Sequence, residues 1–330
     1  MPTRTLICAC AAVMAVTGQA TELSIDGTRF LLDGQPAFLT GISYYAGLAR
    51  TPELMARDLD DLRELGVNWL RVWATWDRHQ TQPALDEGGA GVEPAMSALR
   101  DLVRLADERG MVVDVTLHRG GVLKTQQSHL AAVRTISREL LPWRNVYIDV
   151  ANERDVGDAR FVSVEECREL RDAIREIDAR RLVTASCVLR SSEALAEFID
   201  TTHADLIAPH LGRGPEDPAR TEALVARYLA WMQEIGRSVP VHLQEPFRRD
   251  YGSWQPEAED FLTDLRGAIE GGAAGWCLHN GDNRMTDDRR PRRSFDLRPD
   301  RGPFLGLLDD VEREVLSRLS EVLPTGGEEG

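Results

Sequence analysis

The sequence predicts an α/β protein in which eight strands close into a (β/α)8 barrel, one domain preceded by a β-hairpin. Three observations carry that expectation. Short apolar runs alternate with amphipathic helical stretches along most of the 330 residues. The runs are apolar throughout rather than alternating, as strands of a parallel sheet covered by helices must be. Polar residues gather beyond many different strands, which suits a barrel mouth better than the single crevice of a doubly wound sheet. No GxGxxG follows the first strand to support that open rival.

The first twenty residues do not read as fold. Arg4 makes a short positive region, Leu6–Val16 is continuously small and apolar, and Gly18-Gln19-Ala20 resembles a cleavage site. A signal peptide over residues 1–20 and a secreted or periplasmic protein are expected. The apolar run is shorter than the roughly 20 residues needed to span a bilayer. Next come two alternating runs joined by Asp26-Gly27, a hairpin signal.

Strands are expected at Phe38–Ser43, Asn68–Trp73, Met111–Leu117, Val146–Ala151, Arg181–Ser186, Leu206–Pro209, Val239–Gln244 and Gly275–Leu278. Thr51-Pro52 opens a helix that Gly66 stops. Further helical patterns cover Pro94–Arg109, Ser163–Ile177, Arg220–Ile235 and Glu257–Glu270, with Gly110, Gly236 and Gly271 as stops. The catalytic domain is therefore 21–323, and 324–330 (PTGGEEG) is expected to be a disordered tail.

Composition narrows the partners. Apolar residues are 42% and charged residues 28%, enough for a large core. The formal charge is −15, or −16 once the leader and its Arg4 are gone. That field disfavours nucleic acid and anionic membrane, and suits a neutral or cationic substrate; a monomer is expected. Beyond the leader, Cys167, Cys187 and Cys277 are odd in number and widely spaced, so at most one bridge forms and small core residues are the reading. The arginine-rich run 289–293, beside Asp282, Asp287 and Asp288, reads as a self-neutralised solvated loop.

The chemistry should sit at the C-terminal strand ends. Those ends carry Ser43-Tyr44-Tyr45, Arg71 with Trp73 and Trp76, His118-Arg119, Asn152-Glu153, His210, Glu245, and Trp276 with His279-Asn280. Only two glutamates stand there, after the fourth and seventh strands, which face each other across a barrel mouth. Glycoside hydrolysis needs such a pair, one carboxyl to protonate the leaving oxygen and one carboxylate for the sugar centre. No HExxH or HxxH spacing argues for a metal, and no cofactor is called for.

At these positions the chain resembles clan A glycoside hydrolases, in particular the cellulase and mannanase-like family five. The likeness begins at Phe30–Ser43 (FLLDGQPAFLTGIS) and includes Leu65–Trp73 (LGVNWLRVW). The resemblance implies a carbohydrate substrate and a retaining mechanism, with Glu153 as acid/base at a raised pKa and Glu245 as nucleophile. It further implies that Arg71 keeps Glu245 ionised, His118 is the third-strand histidine, and Asn152 holds the sugar 2-hydroxyl. His210 would be the sixth-strand histidine, and Trp276 would floor the subsite at the cleavage point. The chain departs from the pattern at Gly212, where a tyrosine usually follows the sixth-strand histidine. A catalytically silent carbohydrate-binding barrel is the alternative.

Trp73, Trp76 and Trp254 are expected as subsite walls, and Trp69, Trp143 and Trp231 as packing residues. His79, His129, His203 and His242 read as structural. The sequence leaves His279, Tyr44 and Tyr45 undecided.

Overall fold

The computed structural model describes residues 20–78, 81–281 and 293–324. The expected leader (save Ala20), His79, the run 289–292 with Asp282, Asp287 and Asp288, and the tail beyond Pro324 lie outside these residues.

The chain opens with a three-stranded antiparallel sheet of β1 (Leu23–Asp26), β2 (Arg29–Leu32) and β3 (Gln35–Ala37). The hairpin at Asp26-Gly27 forms as its sequence predicts, and a second turn adds β3. There Asp33 and Gly34 take φ of +53° and +77°, as a type I′ turn requires at both central positions. Phe30 of β2 is fully buried against Tyr147 and His242, with ring centroids 6.4 and 5.6 Å away. The small sheet thus plugs the N-terminal end of the barrel, joining Leu39, Trp69, Val112 and Leu206 in one apolar cluster.

The barrel strands are β4 (Leu39–Ser43), β5 (Trp69–Trp73), β6 (Val112–Thr116), β7 (Val146–Asp149), β8 (Leu182–Thr184), β9 (His242–Leu243) and β10 (Gly275–Leu278). They run parallel in the order β8-β7-β6-β5-β4-β10-β9. The expected sixth strand, Leu206–Pro209, is not a full strand but closes the ring between β8 and β9. It forms single bridges from Pro209 to Cys187 and from Ile207 to Val241. Pro209 and Pro240 have no N–H to continue a ladder, so pairing there stops at isolated contacts. His242 N donates to Ile207 O at 2.9 Å, and His210 N donates to Cys187 O at 2.9 Å. The barrel is closed.

Among the described residues eight α-helices cover it: α1 (Pro52–Glu64), α2 (Ala95–Asp107), α3 (Gln126–Glu139), α4 (Val164–Arg175), α5 (Ser192–Thr202), α6 (Thr221–Glu234), α7 (Ala258–Glu270) and α8 (Asp310–Ser317). The Thr51 hydroxyl accepts from Leu54 N at 3.4 Å, so the cap anticipated before Pro52 forms. At the expected stops Gly66, Gly110 and Gly236 the backbone is left-handed, with φ of +89°, +68° and +67°. α7 differs by one residue: Gly271 stays right-handed at φ −72°, and Gly272 takes the turn at +86°. Among the described residues Cys167, Cys187 and Cys277 are free and buried. No helix among the described residues is long and apolar enough to cross a membrane.

Candidate active site

Side-chain parity decides what reaches the barrel mouth. Alternate strand residues point inward, so Trp69, Arg71 and Trp73 of β5 share one face and Leu70 and Val72 the other. Arg71 is wholly buried on the barrel axis and is shared by four acceptors. Its Nη2 donates to Asp149 Oδ2 at 3.0 Å and Asn152 Oδ1 at 2.7 Å, its Nε to Thr116 Oγ1 at 2.9 Å, and its Nη1 to Glu245 Oε1 at 2.5 Å. Asp114 Oδ2 lies 3.4 Å from Nε as well. Arg71 is therefore at once a buried structural cation and the support of Glu245. Its guanidinium also lies 4.7 Å from the Trp73 ring centroid.

Above this layer opens a cleft of about 750 Å³, and Trp73, His118, Asn152, Glu153 and Glu245 line it together. Alternation from Tyr147 and Asp149 keeps Glu153 on the inward face, whereas Glu245 shares the outward parity of Leu243 and needs a turn to reach the cleft. Leu243 ends β9, and Gln244 N turns back to His242 O at 3.1 Å, so Gln244 points down to Asp114 and Tyr147 while Glu245 enters the cleft. Glu153 takes φ of +49° after β7, a strained turn for a non-glycine residue. Its N–H donates to Ser186 Oγ at 3.2 Å, which helps fix that turn. The outcome is that His210, Glu153 and Glu245 converge, each offering an atom within 4.8 Å of the others. His210 Nδ1 stands 3.7 Å from Glu153 Oε1 and 3.7 Å from Glu245 Oε2.

Burial alone would raise the Glu245 carboxyl, but the charges of His210, Arg71, His279 and Arg213 hold it well below the usual range. Glu153 departs from its expected raised pKa. The neighbouring His210 lowers it most, burial and the Glu245 charge oppose that, and Arg160 lowers it further. Arg160 donates to Glu153 Oε2 and pairs with Asp158 at 2.8 Å. Glu153 is thus a carboxylate in the free cleft. Glu153, His210 and Glu245 are ligand types a metal can use, but both Glu245 oxygens already accept from guanidinium groups, which oppose a cation there.

Two corrections to the expected site follow. Trp276 does not floor the cleft. Cys277 belongs to the inward face of β10, so Trp276 points outward, where it is fully buried and donates Nε1–H to Asp264 Oδ2 of α7 at 2.6 Å. The inward residue at that strand end is His279, two beyond Cys277. Its Nδ1 bonds Pro246 O at 2.8 Å, its Nε2 meets Tyr45 OH at 2.8 Å, and it lies 3.9 Å from Glu245. Second, where no tyrosine follows His210, Arg213, three residues after it, reaches Glu245. Its Nη2 donates to Glu245 Oε2 at 3.1 Å.

The aromatic expectations divide. Trp73, Trp76 and Tyr45 line the cleft, whereas Trp254 packs on Phe247 outside it and Tyr44 turns away to Asp58 Oδ2 at 2.6 Å. His118 lines the cleft and shares a 2.8 Å hydrogen bond from Nδ1 with Thr75 Oγ1. Its pKa is lowered, chiefly by burial. His129 and His242 are structural: His129 is tied to Val150 O at 2.7 Å, and His242 is buried beside Tyr147. The lining residues Asp77, Arg160, Arg213, Arg248 and Phe295 carried no sequence signal, since they come from loops and, for Phe295, a short 3-10 helix rather than from strand ends.

No family model matches the sequence, and no curated protein matches it. Solved structures do match its fold. A family 5 glycoside hydrolase from Bacteroides vulgatus aligns with a TM-score of 0.67 at 15% identity, over 92% of this chain and 72% of that one. A family 5 mannosidase from Rhizomucor miehei aligns at 0.62 and 15% identity, over 92% and 99%. The endo-β-1,4-mannanase of Thermotoga petrophila aligns at 0.62 and 14% identity, over 90% and 79%. The chain therefore shares the (β/α)8 fold of these glycoside hydrolases.

Proposed function

We propose that this chain is a retaining glycoside hydrolase that cleaves β-linked glycans of the mannan or cellulose type by double displacement. One observation carries the reading: Glu153 and Glu245, from opposite sides of the barrel mouth, bring carboxylate oxygens within 4.8 Å. Retaining enzymes hold their carboxyl groups about 5–5.5 Å apart, whereas inverting ones leave about 6.5–9.5 Å for a water.

In the first step Glu245 Oε2, the oxygen on the cleft side, attacks the anomeric carbon. The glycosidic C–O bond breaks, and protonated Glu153 gives its proton to the leaving oxygen. Glu153 must gain that proton on substrate binding, which requires the sugar to part it from Arg160. The covalent ester removes the Glu245 charge, and with it a repulsion that raises the Glu153 pKa. Glu153 is then a carboxylate fit to take a proton from water, whose oxygen attacks the same carbon and releases Glu245. Arg71 acts through Glu245 as a positioning residue, and Asn152 faces the sugar from beside Glu153.

Export through the leader and a monomeric state complete the proposal, resting on sequence alone. The clamp of Arg160 on Glu153 is what favours the second reading, a barrel that binds glycans without cleaving them. The test is proton NMR of the anomeric product during hydrolysis of β-linked manno- and cello-oligosaccharides, with 2-fluoroglycoside labelling. A β product and a label on Glu245 support the reading. Sugar binding without turnover sinks it in favour of the silent barrel, and an initial α product sinks the retaining mechanism.

A further inference from the structure

Three arginines at the cleft are already committed. Arg71 and Arg213 hold Glu245, and Arg160 holds Glu153 and Asp158. Arg248 is different. It lines the same cleft with 7% of its surface exposed, and it pairs with no carboxylate among the described residues. Its one hydrogen bond there is a long contact of 3.4 Å from Nη1 to His279 Nε2, an atom that already meets Tyr45 OH at 2.8 Å. Arg248 Nε is buried with no acceptor at all. The guanidinium is held by ring faces, 5.1 Å from the Tyr251 centroid and 5.5 Å from that of Phe295.

A buried, uncompensated cation is costly, and ring faces offset only part of that cost. Neutral sugar hydroxyls would fill its hydrogen bonds but leave the charge unmet. A planar guanidinium fork is instead matched by an anionic oxygen group, bound through two parallel hydrogen bonds. The contact chain from Arg248 to His279 and from His279 to Glu245, with steps of 3.4 and 3.9 Å, keeps this fork within the span of one sugar ring of the candidate nucleophile.

We propose that Arg248 is a specificity-determining residue that selects a glycan bearing an anionic substituent, a uronate carboxylate or a sulfate ester, on the sugar bound beside Glu245. This rests on the glycosidase reading of the same cleft and narrows its substrate class. The overall negative charge of the protein does not oppose it, because the contact is local and shielded from the distant surface charges.

The test is titration calorimetry on the Glu153→Gln protein, which binds without turnover. The probes are the methyl β-glycosides of glucuronate and mannuronate, methyl β-glucoside 6-sulfate, and the neutral methyl glucoside and mannoside. The expected result is at least tenfold tighter binding of an anionic probe than of its neutral partner. Comparison of the uronates with the sulfate identifies the anionic group. Arg248→Met should erase the preference, bringing each anionic probe within twofold of its neutral partner, and Arg248→Lys should keep a part of it, with thermal unfolding checking that both variants fold. Equal or weaker binding of every anionic probe overturns the proposal, as does a preference that survives Arg248→Met. If wild-type protein neither binds nor cleaves any neutral or anionic β-glycan, the glycosidase reading falls, and this proposal with it. If neutral glycans are cleaved without an anionic preference, this proposal alone falls.

Discussion

Arg213 donates to Glu245 Oε2 at 3.1 Å while Arg71 donates to Oε1 of the same carboxylate from below. Two guanidinium groups on one carboxylate fix its plane and help hold its pKa down. Glu245→Gln is expected to lower kcat on the order of 10⁴-fold, as removal of a nucleophile does. Arg213→Ala acts more mildly and in a directed way. Loss of its charge raises the Glu245 pKa, so the acid limb of the kcat/KM–pH profile moves upward. An unmoved acid limb would mean that Arg213 does not govern Glu245.

Glu153 is held as a carboxylate by His210 and Arg160, yet it must be protonated to serve as the acid. Its free-enzyme pKa sets the alkaline limb of kcat/KM, so the enzyme should work best at acid pH, between the two glutamate pKa values. Arg160→Ala removes a cation that lowers this pKa. The alkaline limb is then expected to shift to higher pH, read from kcat/KM against pH on an aryl glycoside. A limb that stays in place argues that another group carries the proton.

What was legible in the sequence follows from what sequence periodicity encodes. Apolar runs and glycine stops located β4 to β10 and most of the helices, because both arise from local rules of burial and backbone. The two glutamates were legible as residues just past strong strands. The aim of Glu153 follows the inward parity of Tyr147 and Asp149, but that of Glu245 does not follow alternation, which past β9 would turn it outward with Leu243; the turn after Leu243 brings it into the cleft. Trp276 failed for the complementary reason. Alternation does hold along β10, and a one-residue change of parity exchanges core for cleft. Arg160, Arg213 and Arg248 lie on loops, whose placement depends on tertiary contacts rather than on any periodic pattern.

That exchange of roles at the end of β10 predicts different behaviour for two neighbours. Trp276 is fully buried and bonded to Asp264, so Trp276→Ala should cost about 3–5 kcal/mol of stability. Where it still folds, its KM should stay near the native value. His279 is also buried and twice hydrogen-bonded, so His279→Ala costs stability too, but at 3.9 Å from Glu245 it should in addition lower kcat/KM in the protein that folds. Denaturant titration beside steady-state kinetics separates the two, and a KM effect specific to Trp276 would return it to the substrate.

Asp264 gives a pH signature of the fold that is independent of catalysis. It is buried under Trp276, with its pKa raised from 3.8 to about 6, chiefly by burial, against hydrogen bonds from Thr221 and Trp276. A carboxyl whose folded pKa is raised favours the folded state while protonated. Its contribution is full below pH 3.8 and is lost as pH rises through about 6. Two pKa units correspond to about 3 kcal/mol. Asn at this position accepts from Trp276 and can pair its amide with the Thr221 hydroxyl, and it never titrates. Relative to wild type, Asp264→Asn should therefore gain about 3 kcal/mol on going from pH 4 to pH 7, measured as the difference in urea unfolding free energies. A difference that stays flat across that range would mean that Asp264 is ionised at little cost, with water or a partner reaching it behind β10.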